Sequence, residues 1–564
     1  MKKLIGILLL LALLILTLAA CGRAETEPTA AGTSAEPAGT TETAATTPEL
    51  TTAEATTDKW AEIAPKITML SANDRKIKIE CSEYKTAEKA SRNDIYLKGP
   101  DEVTDGVTPS IQVMVYERNR AAEQLLHTNV EFVFWDYGWG EQAGQIDVVV
   151  KGRASDAPDL FVNMLYDLNK ELLNSSFQDI RSVNGSFFDF DADGWLTTWM
   201  QNLSFTGDRA YILGSDYFID AFRAMAVLPF NLTMMDENAG ALAPALLGET
   251  LGQGEDLSTR FFDFVELGYW TWDALGKLCE AIWQDTDGNE QDSVGDRLGI
   301  IVDEYGGINS GSFIYSCGEH LTEVYTVEDQ SSKYFDGQWI KYADDSAGLN
   351  RIFDEVKAVF EGPGSLSTYA AFDGSTPESP GVAYHHIKFA QSELLFAGVC
   401  LLGGLEEDAF QNMTDLYSVV PCPKTDVEKE YNSIIHNVAD VGAINVNAGP
   451  RKTKALTAYL QFCTERSVEI RREFLETVTK YKTTVYNQGT DRMLSLIYGS
   501  ILYGRDKTVD DLIGGQRWHG LMKEQHFFAG SDFITQQYAS LVGGKQNSLN
   551  KYLETWYTLP RVEP

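Results

Sequence analysis

Between Lys76 and Val162 the chain changes its hydrophobic period again and again, and this limits the folds open to it more than any other feature. Lys76 to Cys81 sets charged residues against apolar ones with period two, as a half-buried strand does. Val115-Tyr116-Glu117-Arg118-Asn119-Arg120 opens a helical run whose face would carry Ala121, Leu125 and Leu126. The β-rich stretch Val130-Glu131-Phe132-Val133-Phe134-Trp135 follows. A second amphipathic run reaches Ala154-Ser155-Asp156, and Pro158-Asp159-Leu160-Phe161-Val162 reads as the next buried strand. Strand, helix, strand, helix, strand in this order predicts an α/β architecture.

Length and charge narrow what such a body does. At 564 residues the chain is long enough for two or more lobes. Its 82 acidic residues against 46 basic ones repel phosphate backbones and anionic headgroups alike, which excludes nucleic acid as a partner. The amino terminus carries Lys2 and Lys3, an apolar run from Leu4 to Leu16, and Leu18-Ala19-Ala20-Cys21-Gly22, the composition of a secretory signal segment over residues 1–20. An uncleaved membrane helix is the alternative, since the run approaches the ~20 residues that span a bilayer. Small residues beside a lone cysteine, with polar sequence directly after, favour cleavage. From Gly22 to Asp58 the chain is Thr, Ala, Glu and Pro with Leu50 as its one large apolar residue, too polar to repay the entropy of ordering, so residues 21–59 read as a tether. Six further cysteines, Cys81, Cys279, Cys317, Cys400, Cys422 and Cys463, permit three disulfides, but a chain of this size needs no staples and buried free thiols are the other reading.

Two resemblances follow from these residues. Leu18-Ala19-Ala20-Cys21 resembles the lipobox of bacterial lipoproteins, which implies that Cys21 is acylated and begins the mature protein, anchored on the extracellular face of the membrane. Ser155-Asp156-Ala157-Pro158-Asp159-Leu160-Phe161-Val162 resembles the "G-D-A-P-D-hydrophobic" segment of the extracellular solute-binding proteins of ABC importers, in particular the maltose-binding-protein-like sugar-binding group. Four more segments recur in the family's order. Val227-Leu228-Pro229-Phe230-Asn231 is similar to its "tyrosine-asparagine-lysine" strand end, with Leu232 in place of the lysine. Thr271-Trp272-Asp273-Ala274-Leu275 is similar to its T-W-[DE]-E-L helix start, with a cap at Thr271 and Leu275, Leu278, Cys279 and Ile282 on one face. Leu416-Tyr417-Ser418-Val419-Val420-Pro421 with Pro423 is similar to its "Y-x-V-x-P-x-P" strand. Val441 to Val446 leads into a helix carrying Leu456, Tyr459, Leu460 and Cys463, like its returning segment.

The resemblance implies a two-lobed α/β, periplasmic-binding-protein-like fold with discontinuous lobes and an interlobe ligand cleft. Lobe 1 would comprise 60–226 with about 440–490, and lobe 2 would comprise 227–439 with part of 491–564. The chain would cross near Ala224 to Phe230 and return near His436 to Gly442. It implies a monomer that captures a solute, an oligosaccharide, and passes it to the permease subunits of an ABC transporter without chemistry. Ligand residues would come from the loop after the Pro158-Asp159 strand, Asn163, Tyr166 and Asp167; from Asp216 near the first crossing; from the glycine-rich turn with Tyr305, Ser310 and Phe313; and from Trp135 by stacking. Leu405 stands where the family's "G-x-W" stacking tryptophan falls, which argues against a maltodextrin-like ligand.

Other chemistry is weakly marked. Asp285, Asp287, Asn289 and Asp296 place oxygens at alternate loop positions, as calcium sites do, but the glycine and the twelfth residue depart from an EF-hand, and a solvated turn without cofactor is the expectation. No G-x-S-x-G, H-E-x-x-H or Walker glycine loop occurs, and His385-His386 on one element would point in different directions. The competing class is a surface-anchored enzyme or lectin acting on polysaccharide.

Overall fold

The computed structural model describes residues 59–83, 91–138, 140–183, 185–302, 307–367, 384–406, 408–480, 488–501, 504–513, 518 and 530–559. Cys21, the tether and Tyr305 lie outside the described residues, as does the side chain of Ser310.

Two sheets divide the body into two lobes. In the first, β1 (Lys76–Ser82), β2 (Asn129–Trp135), β3 (Leu160–Met164) and β12 (Asp440–Ile444) run in the order β12-β3-β1-β2. β1 is parallel to β2 and to β3, while β12 returns antiparallel to β3 with Asp440 opposite Met164. Ser82, Met164 and Asp440 therefore share the edge at which the parallel strands end. That is the edge where open α/β sheets bind ligands.

The local pattern explains most of this lobe and corrects the rest. β1 alternates only as far as Ile79; Glu80, Cys81 and Ser82 are all buried, and the helix Pro450–Lys480 packs against this strand. The helix α1 (Ser110–Leu126) begins five residues ahead of Val115. Its inner stripe is Ile111, Val115, Arg118, Asn119, Ala122 and Leu126, so the expected inner residues Ala121 and Leu125 sit outside it. Arg118 and Asn119 are accommodated because both donate to the Leu97 carbonyl at 2.9 Å. α2 (Gln142–Gly152) and α3 (Leu165–Leu172) complete the early crossovers, and α8 (Pro450–Lys480) packs along α1. Leu456, Tyr459, Leu460 and Cys463 line its buried side.

The second sheet has β10 (Cys400–Leu401), β4 (Ala226–Asn231), β9 (Leu394–Phe396), β5 (Leu298–Val302) and β8 (Ser365–Ser367) in that order, with β11 (Tyr417–Val420) also on β4. α4 (Leu257–Glu266) and α5 (Trp272–Ile282) cover it. The Thr271 side chain caps α5 by accepting from Ala274 N at 3.3 Å, and Leu275, Leu278, Cys279 and Ile282 are buried as the spacing requires. Close seating of α5 on β5 depends on Gly299, where a Cβ would lie 2.4 Å from the Cys279 Cα. α6 (Gly307–Tyr315) and α7 (Ala347–Phe360) flank a separate hairpin of β6 (Thr322–Thr326) and β7 (Gln338–Tyr342).

The chain passes from one sheet to the other just before β4 and returns just before β12. Met225 and Ile435 form an isolated antiparallel bridge there, with Ala226 N donating to Ile434 O at 3.0 Å and His436 N to Ala224 O at 2.8 Å. The two crossings are thus bonded side by side. Beyond α8, α9 (Gln488–Gly499) packs on α4 and β11, α10 (Arg505–Ile513) lies between α3 and α6, and α11 (Gly530–Trp556) runs over α7 and β7. The six cysteines of the described body are free and buried. Among the described residues no helix is long and apolar enough to cross a membrane.

Candidate functional site

At the shared edge of the first sheet, buried polar side chains gather. Glu80 and Asn163 come from adjacent strands, β1 and β3, and the Asn163 amide donates to Glu80 Oε2. Gln142, the first residue of α2, donates to Ser82 Oγ at 3.1 Å. Asn93 donates to the Ser82 carbonyl at 3.3 Å and to Asp440 Oδ2 at 2.9 Å. On the crossing segment, the Asn437 carbonyl accepts from Tyr166 N at 2.9 Å, and its side-chain amide donates to Asp511 Oδ2 of α10 at 2.7 Å.

These donors fix the amide orientations, and so they fix what is left over. Glu80 Oε1, Gln142 Oε1, Asn163 Oδ1 and Asn437 Oδ1 are buried and have no hydrogen-bond partner. The three amide oxygens are acceptors, and the Glu80 oxygen is one when its carboxyl is ionised. An acceptor buried this way costs about 1–3 kcal/mol when nothing donates to it, and hydroxyl or amine donors would satisfy these oxygens. Glu80 is pushed well above the usual carboxylate range by burial and then by the Asp440 charge, against the pull of the Asn163 amide.

The residues expected to bind ligand divide among different surroundings. Asn163 belongs to the cluster, and Asp167 stands beside it, accepting from Ala143 N at 3.3 Å. Burial raises the Asp167 carboxyl, opposed by that backbone bond. Tyr166 is half-buried, with Lys170 Nζ 3.9 Å from its ring centroid. Trp135 is half-buried at the end of β2, edge-on to Tyr137 with ring centroids 6.2 Å apart. Asp216 does not join them. Both its oxygens are engaged, by Arg471 Nε at 2.9 Å and by the Tyr498 hydroxyl at 3.1 Å, and its residue is fully buried. Phe313 packs in the second-lobe core, edge-on to Trp272 at 4.9 Å, because α6 turns this position inward. Tyr305 lies outside the described residues.

Sequence reasoning missed Glu80, Gln142, Asn437 and Asp440. Glu80 shares its strand face with Lys76 and Lys78, so alternation alone sends it to solvent.

The acidic loop holds itself. The carboxylate oxygens of Asp285, Asp287 and Asp296 come within 4.8 Å of one another. Yet Asp285 accepts from the backbone of Gly288 and Glu290, and Asp287 accepts from Asn289 N and from Ser293 Oγ. Asp296 accepts from Thr286 N and Ser293 N, which together outweigh burial and lower its carboxyl. His385 and His386 lie with ring centroids 4.4 Å apart, and burial followed by the His386 charge drives His385 well below the usual imidazole range.

No protein-family model matches the chain, and no curated protein matches it in sequence. Solved structures do match it. The sugar-binding protein MalE from Xanthomonas citri aligns with TM-score 0.47 at 11% identity, over 86% of this chain and 99% of its own. An ABC transporter solute-binding protein from Thermotoga lettingae, bound with α-D-tagatose, aligns with TM-score 0.44 at 12% identity, over 84% of this chain and 100% of its own. The galacto-N-biose/lacto-N-biose I-binding protein of the ABC transporter from Bifidobacterium longum gives TM-score 0.44 at 12% identity, over 86% and 97%. These three solved structures are of sugar-binding or solute-binding proteins.

Proposed function

We propose that this protein is a lipid-anchored, non-enzymatic solute receptor that captures an oligosaccharide between its lobes and delivers it to the permease of an ABC importer. The observation that supports the reading is the set of four buried, unpartnered oxygens on Glu80, Gln142, Asn163 and Asn437, near the carboxyl ends of the parallel strands of the first sheet, where open α/β sheets generally take ligands. Sugar hydroxyls donate to such oxygens, and the half-buried ring of Tyr166 beside them offers a face for sugar C–H groups. The segments of the sequence that resemble solute-binding proteins support the same reading, as does the lipobox-like Leu18-Ala19-Ala20-Cys21, which would keep the receptor at the extracellular face. Lobes of this kind bind by differential affinity, since only the closed arrangement touches a solute from both sides.

A thermal-shift screen of neutral oligosaccharides against the whole chain tests the proposal. A binder raises the melting temperature by mass action. Replacing Gln142 and Asn163 together by Leu should cost that binder at least tenfold in affinity while leaving the sugar chemically unchanged in both proteins. Turnover of the sugar, or equal affinity in the double variant, would refute the reading.

A further inference from the structure

We infer that the carboxyl-terminal helix α11 is an interlobe latch whose terminal Trp556 restrains the movement of one lobe against the other. Most of α11 belongs to the second lobe. Tyr538 donates to Ala343 O at 2.8 Å, Asn350 donates to Thr535 Oγ1 at 3.0 Å, and Asn550 accepts from Trp339 Nε1 at 3.0 Å. Its last turn belongs to the first lobe. Trp556 is 1% exposed and stands edge-on to Phe205 at 5.0 Å and to Tyr211 at 5.1 Å, while its indole N–H donates to Thr206 Oγ1 at 2.8 Å.

The receiving segment is tied to the first sheet. Ile180 N donates to Ala210 O at 2.8 Å, and Leu213 bridges Gly442 of β12. Arg209 finishes the anchor by donating to Trp556 O at 2.9 Å and to Leu559 O at 3.3 Å, which satisfies carbonyls that the end of a helix leaves free. The hairpin joins at the same point, where Gln338 Oε1 accepts from Gly207 N at 2.6 Å. A helix made fast at both ends to different lobes restrains their motion in a way that the paired crossings at Met225 and Ile435 do not. Those crossings are bonded side by side at one place, whereas α11 spans from one lobe to the other. The latch rests on the two-lobe fold and holds whatever solute the cleft takes.

Spin labels on Val148→Cys in the first lobe and Leu267→Cys in the second, both on exposed positions, report the interlobe distance in the full chain carrying Cys21→Ala. The other six cysteines are buried. The distance distribution should be narrow in this parent, broad in Trp556→Ala, and intermediate in Thr206→Val, which loses the hydrogen bond from the indole and the one that Thr206 donates to Asp208 but keeps the packing of Trp556. Tyr538→Phe weakens α11 within the second lobe alone and should leave the distribution narrow. A distribution unchanged in Trp556→Ala overturns the latch. Should that variant fail to fold, an unchanged distribution in both Thr206→Val and Trp556→Phe overturns it equally. Broadening in Tyr538→Phe to the extent seen in Trp556→Ala also overturns it, by showing general loosening.

Discussion

Replacing Arg471 by Met isolates the electrostatics of Asp216 and decides what that carboxylate is for. Asp216 is fully buried and held by Arg471 Nε at 2.9 Å and Tyr498 Oη at 3.1 Å, with the guanidinium 3.9 Å from the centroid of the Tyr498 ring. Burial pushes its carboxyl up to about 6 even with Arg471 pulling it down. The rise from the ordinary 3.8 means that the folded protein binds this proton more tightly than the unfolded chain. Folding is therefore favoured by acid across that window, and above it the ionised group costs on the order of 3 kcal/mol. Met keeps most of the aliphatic stem but strands the charge with only the Tyr498 hydroxyl as donor.

At pH 7.5 the variant should lose about 3–5 kcal/mol, the usual cost of breaking a buried pair from one side. At pH 5, where the carboxyl is protonated in both proteins, the deficit should shrink to about 1 kcal/mol of lost packing and hydrogen bonding. Adding Asp216→Asn to Arg471→Met should recover most of the loss at pH 7.5 and little at pH 5. Urea unfolding at the two pH values measures all of this. Equal deficits at both pH values would show that the arginine stabilises by packing alone. A tight-binding sugar that loses affinity in Asp216→Asn, with stability unchanged, would return Asp216 to the ligand site.

Asp506 is likewise pushed up to about 6 by burial, opposed by bonds from Leu321 N at 2.7 Å and Thr322 Oγ1. The melting temperature should then rise as pH falls from 7 toward 5, and Asp506→Asn should flatten that dependence; a steeper slope in the variant would contradict the direction. Chelator should leave the melting temperature unchanged, since the acidic loop accepts its own backbone donors, whereas micromolar calcium binding by titration calorimetry, lost in Asp287→Ala, would make the loop a site. Cys21→Ala should abolish incorporation of labelled palmitate, and label retained in that variant would remove the lipid anchor from the proposed function.

The architecture was legible because periodicity and capping act locally. The strand at Leu160 to Val162 and the cap at Thr271 are specified by residues within one element, and each forms as its spacing requires. Phase was less secure. In α1 the buried stripe includes Arg118 and Asn119, polar residues that a pattern of apolar positions sends outward, so that pattern selects Ala121 where Ala122 is the buried residue. Phe313 shows the same limit at a candidate site: a glycine-rich turn followed by an aromatic fits a ligand loop, and only the seating of α6 on Trp272 makes that ring part of the core.

The site itself was harder to foresee, because what distinguishes it is a relation between strands. Glu80 follows the alternation of Lys76 and Lys78 and reads as solvent-facing. It is buried because β3 lies beside it, bringing Asn163 into hydrogen-bond contact, and because β12 returns 360 residues later with Asp440 at the same edge. Asn437 becomes part of the cluster only through the return crossing, and its partner Asp511 comes from a carboxyl-terminal helix that no local pattern assigns to this edge. A buried carboxyl without a full set of partners is costly. Where three segments so far apart in the chain converge and still leave Glu80, Gln142, Asn163 and Asn437 each with an acceptor unused, the deficit is a property of the assembled edge. Stability alone would favour apolar residues at those positions, since a half-satisfied polar network is worse than an apolar core. These unused acceptors are therefore the observation on which the proposed ligand site rests.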